Sequence, residues 1–533
     1  MKCACSSYLI VALLFAIPLA CGADISARQA SAQPVPAGQK PQIRLAKPVT
    51  YDTGGQSAHS VAVADLDGDG MLDLVVANGC QDTDCQNGTL SVLLGNGNGT
   101  FQAAVTYSTG AYGATSVAVG DVNGDGIPDL VAANACLNLN QQGTECEGYG
   151  VVSVLLGNGD GTFQPAVTYS TGAYSAISVA LGDLRGDGIL DLVVANYAGD
   201  SYEAGSASVL LGNGDGTFQP AANYPTGGQV ADSIAIADVS GNGVPDLIVA
   251  NQVQSNGGQE GYVGVLLGNG DGTFQPAVAY DSGGTNSESV AVGDLRGDGI
   301  LDLVVADGYD SDNVVGVLLG NGDGTFQPAV TYLLKGLANR GVAIGDVNGD
   351  GIPDLVVITI CEKIKGAGCY GDGTVSVLLG NGDGTFQSPI AYSSDGYLGV
   401  AIAIGDVNGD GRPDVMAINA WHDFYDQEGS VAVLLNETTY STKTALTAQP
   451  NPSQINQTVT LTATITSIPP VPNGEVVTFY NGKTNLGTGA TTSGVATLTT
   501  SFSTAKTYTI KATYPGDPFR KASSGTVKQV VSP

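Results

Sequence analysis

Basic residues are scarce in this chain of 533 residues: 19 Lys and Arg stand against 50 Asp and Glu, a formal net charge of −31. Contact with phosphate needs clustered Lys and Arg, so this balance argues against nucleic acid as a partner, and it disfavours anionic membranes. Histidine is scarcer still, with only His59 and His422, and neither a Gly-x-Ser-x-Gly elbow nor a His-Glu-x-x-His pair occurs. The inventory for catalysis is poor, and we expect no enzyme. A polysaccharide-acting lyase or hydrolase is the alternative, and it requires one unique acidic or His-containing pocket.

The N-terminus carries Lys2, an apolar run Tyr8–Ala20 and small residues after it. This reads as a secretory signal over residues 1–23, with no transmembrane span elsewhere. Leu19-Ala20-Cys21 is close to a bacterial lipobox, with Pro18 where Leu is usual, so a lipid anchor at Cys21 competes with ordinary cleavage after Ala23 or Ala32. Residues 24–46, rich in Ala, Gln and Pro, read as a flexible linker. Beyond the signal, six cysteines fall into three local pairs: Cys80/Cys85, Cys136/Cys146 and Cys361/Cys369. In an exported chain such spacing reads as local disulfides. Zinc is the alternative, and two cysteines per loop are too few ligands for it.

What the chain has in abundance is aspartate in a fixed pattern. Asp65-Leu66-Asp67-Gly68-Asp69-Gly70-Met71-Leu72-Asp73 places carboxylates at positions 1, 3, 5 and 9, with glycines at 4 and 6 that let the backbone turn back. So many protein oxygens in a short loop suit a hard cation taking six to eight ligands, and calcium fits better than the more tightly hydrated magnesium. An EF-hand would continue to a Glu at position 12 and a helix; here position 12 is Val76, and apolar β-type runs lie on both sides. The loop therefore joins two strands.

The loop recurs at Asp121–Asp129, Asp183–Asp191, Asp238–Asp246, Asp294–Asp302, Asp346–Asp354 and Asp406–Asp414, with starts 52 to 62 residues apart. Each unit carries four β-like segments, in the first Ser60–Ala64, Leu74–Asn78, Leu90–Leu94 and Ala103–Tyr107. Four strands repeated seven times is the arithmetic of a seven-bladed β-propeller. Three residues before each loop stands Ala (Ala62, Ala118, Ala180, Ala235, Ala291, Ala343, Ala403), with Val, Ile or Leu two and four before. Alternation along a strand puts these sets on opposite faces, so a bulky face can pack on a tiny one around a ring. The seventh unit stops after Val431–Leu435 without a fourth strand, whereas Pro48-Val49-Thr50-Tyr51 supplies a spare copy ahead of the first loop. This strand is expected to complete the last blade and remove the open seam.

The unit resembles the FG-GAP/VCBS repeat of integrin α-subunit propellers and of secreted bacterial proteins, in which an Asp-x-Asn-Gly-Asp-Gly-x-x-Asp loop joins the first two strands of a blade and holds calcium. The resemblance covers residues 47–437. Literal Phe-Gly and Gly-Ala-Pro landmarks are missing, with Val-Ala-Asn (Val76–Asn78) near the latter, which points to the bacterial branch. Residues 441–533 alternate Thr with apolar residues and carry Asn-Gly turns. Gly474–Phe479, Leu486-Gly487-Thr488 and Tyr514-Pro515-Gly516-Asp517 resemble bacterial Ig-like domains, which implies a β-sandwich acting as a spacer.

The expected calcium ligands differ among loops. The first offers Asp65, Asp67, Asp69, the Met71 carbonyl and Asp73. The second (Asp121, Asn123, Asp125, Ile127, Asp129), sixth (Asp346, Asn348, Asp350, Ile352, Asp354) and seventh (Asp406, Asn408, Asp410, Arg412, Asp414) keep an oxygen at position 3. The third (Asp183, Asp187, Ile189, Asp191) and fifth (Asp294, Asp298, Ile300, Asp302) have Arg185 and Arg296 there, which offer no oxygen, so water must serve and binding weakens. The fourth (Asp238, Ser240, Asn242, Asp246) has two carboxylates and is the weakest. About four well-equipped sites, and up to seven, are expected. Arg185-Gly186-Asp187 and Arg296-Gly297-Asp298 spell an adhesion tripeptide, but their Asp residues are committed to the loops.

A second motif, Gly-Asn-Gly-Asp-Gly-Thr-Phe (Gly157–Phe163 and four further copies), reads as a hairpin turn whose Phe anchors the next strand, with a second cation loop as the alternative. Connections on the face opposite the calcium loops carry Tyr112, Tyr174, Tyr197, Tyr202, Tyr309, Tyr397 and the run Trp421-His422-Asp423-Phe424-Tyr425. Trp421, His422 and Tyr425 form the candidate ligand face, since exposed aromatics suit sugar rings or a protein partner. The whole reads as a secreted or bacterial surface-tethered, non-catalytic binding or adhesion module meeting an extracellular protein or glycan, with a carbohydrate-binding lectin as an alternative.

Overall fold

The computed structural model describes residues 43–533 except 82–86, 140–145, 198–204, 253–259, 309–312, 362, 366–367, 422–427, 468–469 and 518. The signal, most of the linker, Cys21, Cys85, Tyr202, Tyr309, His422 and Tyr425 lie outside the described residues, as do the side chains of Cys146 and Cys369. Every described regular element is a β-strand. Two compact units are present, one chiefly Ala46–Val347 and Ile352–Asn436, the other chiefly Glu437–Pro533.

The repeat unit contains five four-stranded antiparallel sheets and one of seven strands. In the second repeat the strands are Tyr112–Gly120, Asp129–Cys136, Val151–Leu155 and Val167–Ser170, with the aspartate loop between the first two. The seven-stranded sheet arises because Val49–Ala64 is one continuous strand serving two partners. Its start pairs with Glu428–Leu434 (Val49↔Val433, Asp52↔Ser430), and its end pairs with Asp73–Cys80 (Val61↔Val76, Ala64↔Asp73). The spare N-terminal strand thus joins the last repeat, as the register requires, and runs unbroken into the first.

Neighbouring sheets pack bulky face on tiny face. Ala62 and Ala64 of the first repeat share a core with Val117 and Val119 of the second. Ala118 meets Val179 and Leu181, and Ala403 of the last repeat shares a core with Val63 of the first. The fit is tight: a Cβ on Gly120 would lie 2.9 Å from both Leu181 and Leu190, so the residue before the loop has no room to grow.

First strands are also stitched by serines five residues before each of the first five loops; the sixth and seventh have Gly341 and Ala401 there. Ser60 Oγ accepts from Val117 N (3.4 Å), Ser116 from Val179 (3.3 Å), Ser178 from Ile234 (3.4 Å), Ser233 from Val290 (3.3 Å) and Ser289 from Val342 (3.4 Å). Each hydroxyl keeps its own proton to donate elsewhere.

The C-terminal unit has a three-stranded and a five-stranded sheet. Its strands alternate in burial, as in Lys443–Gln449, and enclose a core around Phe479, Ile510 and Tyr514. This is the sandwich read from the Thr-rich alternation.

Candidate metal centre

Position 6 of the first loop, Gly70, has φ of +85°, which only glycine adopts without strain. That turn folds the loop over its own carboxylates. Asp65 Oδ1 accepts from Gly68 N (2.8 Å) and Oδ2 from Gly70 N (3.0 Å), and Asp69 accepts from Met71 N (2.8 Å). Carboxylate oxygens of Asp65, Asp67 and Asp73 converge to within 4.8 Å of one another. Among the described residues this is the one convergent group of three, and Asp69, also an expected ligand, stands outside it.

Position 9 has a second duty that spacing alone did not show. Asp73 Oδ2 accepts from Leu66 N (2.8 Å) and Oδ1 from Gly95 N (2.7 Å), so the side chain ties the loop to the end of the third strand. The same pair of bonds recurs at Asp129, from Val122 N (2.9 Å) and Gly157 N (2.8 Å), and at Asp191, Asp246, Asp302, Asp354 and Asp414. Burial pushes Asp73 and Asp129 up to about 6 and Asp414 to about 7, against the opposing pull of those N–H donors. Buried carboxylates beside further carboxylates want a cation.

In the third and fifth loops a cation is built in. Arg185 Nη2 lies 2.8 Å from Asp191 Oδ1, and Nη1 lies 3.1 Å from Asp187 Oδ2. Arg296 repeats this at 2.8 Å with Asp302 and 3.0 Å with Asp298. Each guanidinium also donates to a backbone carbonyl, Gly212 O at 2.8 Å and Gly320 O at 3.0 Å. The arginines therefore engage the carboxylates expected to ligate metal, and the Asp of each adhesion-type tripeptide is paired to its own Arg.

The remaining loops are simpler. In the second, Asn123 Nδ2 donates to Asp125 Oδ2 (2.9 Å). In the fourth, Ser240 Oγ donates to Asp238 Oδ1 (3.3 Å) and Val244 N to Asn242 Oδ1 (2.7 Å). In the sixth, Asp350 N donates to Asn348 Oδ1 (2.9 Å). In the seventh, Arg412 Nη2 lies 2.5 Å from Asp410 Oδ2, a competitor that position 7 did not announce.

The second motif is a turn. Asp160 Oδ1 clasps Thr162 through its N–H (3.1 Å) and hydroxyl (2.5 Å), and Gly157 bridges Phe163. Asn98 makes the same clasp on Thr100 at 3.0 and 2.6 Å, so the charge is dispensable.

Of the expected aromatic face, Trp421 stacks on Tyr397 (5.8 Å, 18°). Tyr174 meets Tyr149, which sequence reasoning passed over, edge-on at 6.1 Å; they are 47% and 54% exposed.

Sequence reasoning also missed a cavity of about 390 Å³ lined by the first strands of all seven repeats, with His59, Asp232, Glu288 and Arg340 on its wall. The signal was available six residues before each loop, where those four residues break the repeat's otherwise uncharged pattern.

Among the described residues no helix is long and apolar enough to cross a membrane. The model of the FG-GAP-like repeat matches residues 65–132, 145–194, 186–249, 253–305, 297–357 and 367–417, and that of the bacterial Ig-like domain (group 3) matches 446–532. Integrin alpha-V of Gallus gallus is 29% identical over 36% of this chain and 19% of its own length. Integrin alpha-IIb of Homo sapiens is 32% identical over 27% and 15%, so the chain spans under a fifth of either relative. The V. cholerae biofilm matrix protein Bap1 aligns over 74% of this chain and 91% of its own, at 13% identity and a TM-score of 0.29.

Proposed function

This chain belongs to the FG-GAP-like repeat family and ends in a bacterial Ig-like domain, and from that premise we propose that it is an extracellular calcium-binding module that binds a partner without catalysis. The observation that carries this is the convergence of Asp65, Asp67 and Asp73 within 4.8 Å at a strand-to-strand loop. Calcium there pins the first hairpin of a repeat by neutralising carboxylates whose burial otherwise disfavours their charge. The second, sixth and seventh loops are read as further sites. In the third and fifth, Arg185 and Arg296 stand in for the ion, and the fourth is the poorest in charge.

We read the repeats as a seven-bladed propeller over residues 47–437, ahead of an Ig-like domain over 441–533. Support comes from seven loops of one design, from cores passing between successive repeats and from the shared strand Val49–Ala64. The three cysteine pairs are read as disulfides of a secreted or surface-tethered protein, in keeping with none of Cys80, Cys136 and Cys361 standing as a free thiol. The exposed Tyr149–Tyr174 pair favours a glycan as one class of partner.

The test is a count and a melt. Native mass spectrometry in calcium is expected to show about four bound ions, and excess EGTA to lower Tm with the disulfides intact. A melt indifferent to EGTA sinks the calcium reading.

A further inference from the structure

The cavity on the first strands lies well away from the aspartate loops, because six residues at about 3.3 Å each separate its wall from them. One row of seven side chains, the sixth residue before each loop, faces it: in chain order His59, Thr115, Ile177, Asp232, Glu288, Arg340 and Val400. Three charged groups are consecutive, and Ile177 and Val400 flank them. Behind the row runs the serine ladder, each hydroxyl having accepted a backbone N–H and kept its own proton.

The charged groups do not satisfy one another. Arg340 Nη1 lies 2.6 Å from Glu288 Oε2, closing that pair. Asp232 Oδ2 is buried and has no hydrogen-bond partner, while Gln252 engages the same carboxyl group. Burial first, and the charge of Glu288 second, raises the Asp232 carboxyl well above the ordinary range. His59, exposed but crowded by neighbouring protein, has its pKa held down by desolvation and by Arg340, so it adds no lasting positive charge. A cation entering the cavity favours the ionised Asp232, leaving one negative charge in excess of Arg340, and the orphaned oxygen needs an N–H or O–H donor.

We propose that this cavity binds a small polyhydroxylated amine, an amino sugar, with its ammonium on Asp232, its hydroxyls on the serine ladder and Gln252, and its C–H face against Ile177 and Val400. A volume of about 390 Å³ accommodates one such ring, within the ~300–1,000 Å³ usual for small-ligand sites. Because Glu288 is closed onto Arg340, only one carboxylate is left to act, which suits binding rather than the two-carboxylate chemistry of glycoside hydrolysis. The assignment goes beyond the calcium reading and stands on different residues.

Calorimetric titration of the calcium-loaded full chain with glucosamine, glucose and glucuronate tests it, on the wild type, Asp232→Asn and Ile177→Trp. Glucosamine is expected to saturate at millimolar concentration or below, glucose to bind at least tenfold more weakly and glucuronate not at all. Asp232→Asn keeps the side chain's shape and is expected to weaken glucosamine at least tenfold; Ile177→Trp fills the cavity from the neighbouring strand and does the same. Absence of saturation by glucosamine, equal binding of glucose, or undiminished binding in Asp232→Asn overturns the proposal, and so does release of glucosamine from chitobiose. A calcium-dependent melt run on each sample shows that it is folded. A blank titration beside an intact calcium response refutes the cavity alone, and the reverse result refutes the calcium reading alone.

Discussion

At the scale of single residues, two positions show a side chain taking the contacts proposed for a bound ion. Arg185 and Arg296 make paired contacts with two loop carboxylates and a carbonyl, the set a metal would otherwise gather. Replacing Arg185 by Asn gives the third loop the position-3 oxygen that Asn123 supplies in the second, so Arg185→Asn is expected to raise the number of bound calcium ions by one. An unchanged ion count by native mass spectrometry rejects the surrogate role. The arginines were visible in the sequence, but their direction was not: a side chain that cannot ligate was read as leaving room for water, whereas it folds back onto its own loop.

Asp307 gives a second residue-scale test. Where the first, second and third repeats have buried Asn78, Asn134 and Asn196, the fifth has a carboxyl whose Oδ1 accepts from Ser287 Oγ (2.8 Å), and burial pushes it up to about 7. Its folded pKa exceeds the unfolded value near 4, so the folded state holds the proton more tightly between pH 4 and 7. The stability this proton gives is complete below about pH 4 and is lost as pH rises through about 7. Asp307→Asn is expected to flatten that part of the Tm–pH curve and to be worth about 2–4 kcal/mol at pH 8, at about 1.4 kcal/mol per pKa unit. Equal melts of the two proteins at pH 8 contradict it.

Among elements, the contact that repeats most faithfully joins the fourth strand of one unit to the turn of the next. Tyr107 meets Phe163 edge-on at 5.5 Å, and the arrangement recurs from Tyr51–Phe101 to Tyr332–Phe386 at 5.4 to 5.7 Å. Phe163 is 8% exposed. Phe163→Ala is expected to cost about 3–4 kcal/mol, read as a lower midpoint in urea; a cost under about 1 kcal/mol means the ring is not a clasp. The Phe was legible as an anchor because Asn-Gly and Asp-Gly fix the turn. Its Tyr partner was not, because the pairing spans a whole repeat and no local pattern encodes which sheet lies alongside. The cavity wall escaped for a related reason: one row of side chains gains meaning only when seven first strands stand together.

At the scale of the whole molecule, stability is expected to depend on metal. A site saturated a hundredfold above its Kd contributes about 2.7 kcal/mol, so four sites, if independent, make calcium a major source of stability for the repeats. EGTA is therefore expected to lower the melting transition of the repeats and leave that of the Ig-like unit in place. Two transitions in calorimetry, only one of them moved, are the outcome to look for. The all-β class with repeated four-stranded sheets, and the shared strand, were legible in the sequence because alternation, turn chemistry and a missing last strand are all local counts.

That shared strand also decides how the molecule bears tension. Residues 46 and 436 leave the repeats side by side, with Ala46 N donating to Leu435 O at 2.7 Å, and the ladder behind them runs Val49–Asp52 against Ser430–Val433, with one further pair at Gln56 and Glu428. A pull that separates these two points loads the ladder from one end, so its bonds part in sequence rather than together. The seam is therefore expected to act as a mechanical fuse, parting before the sheets behind it.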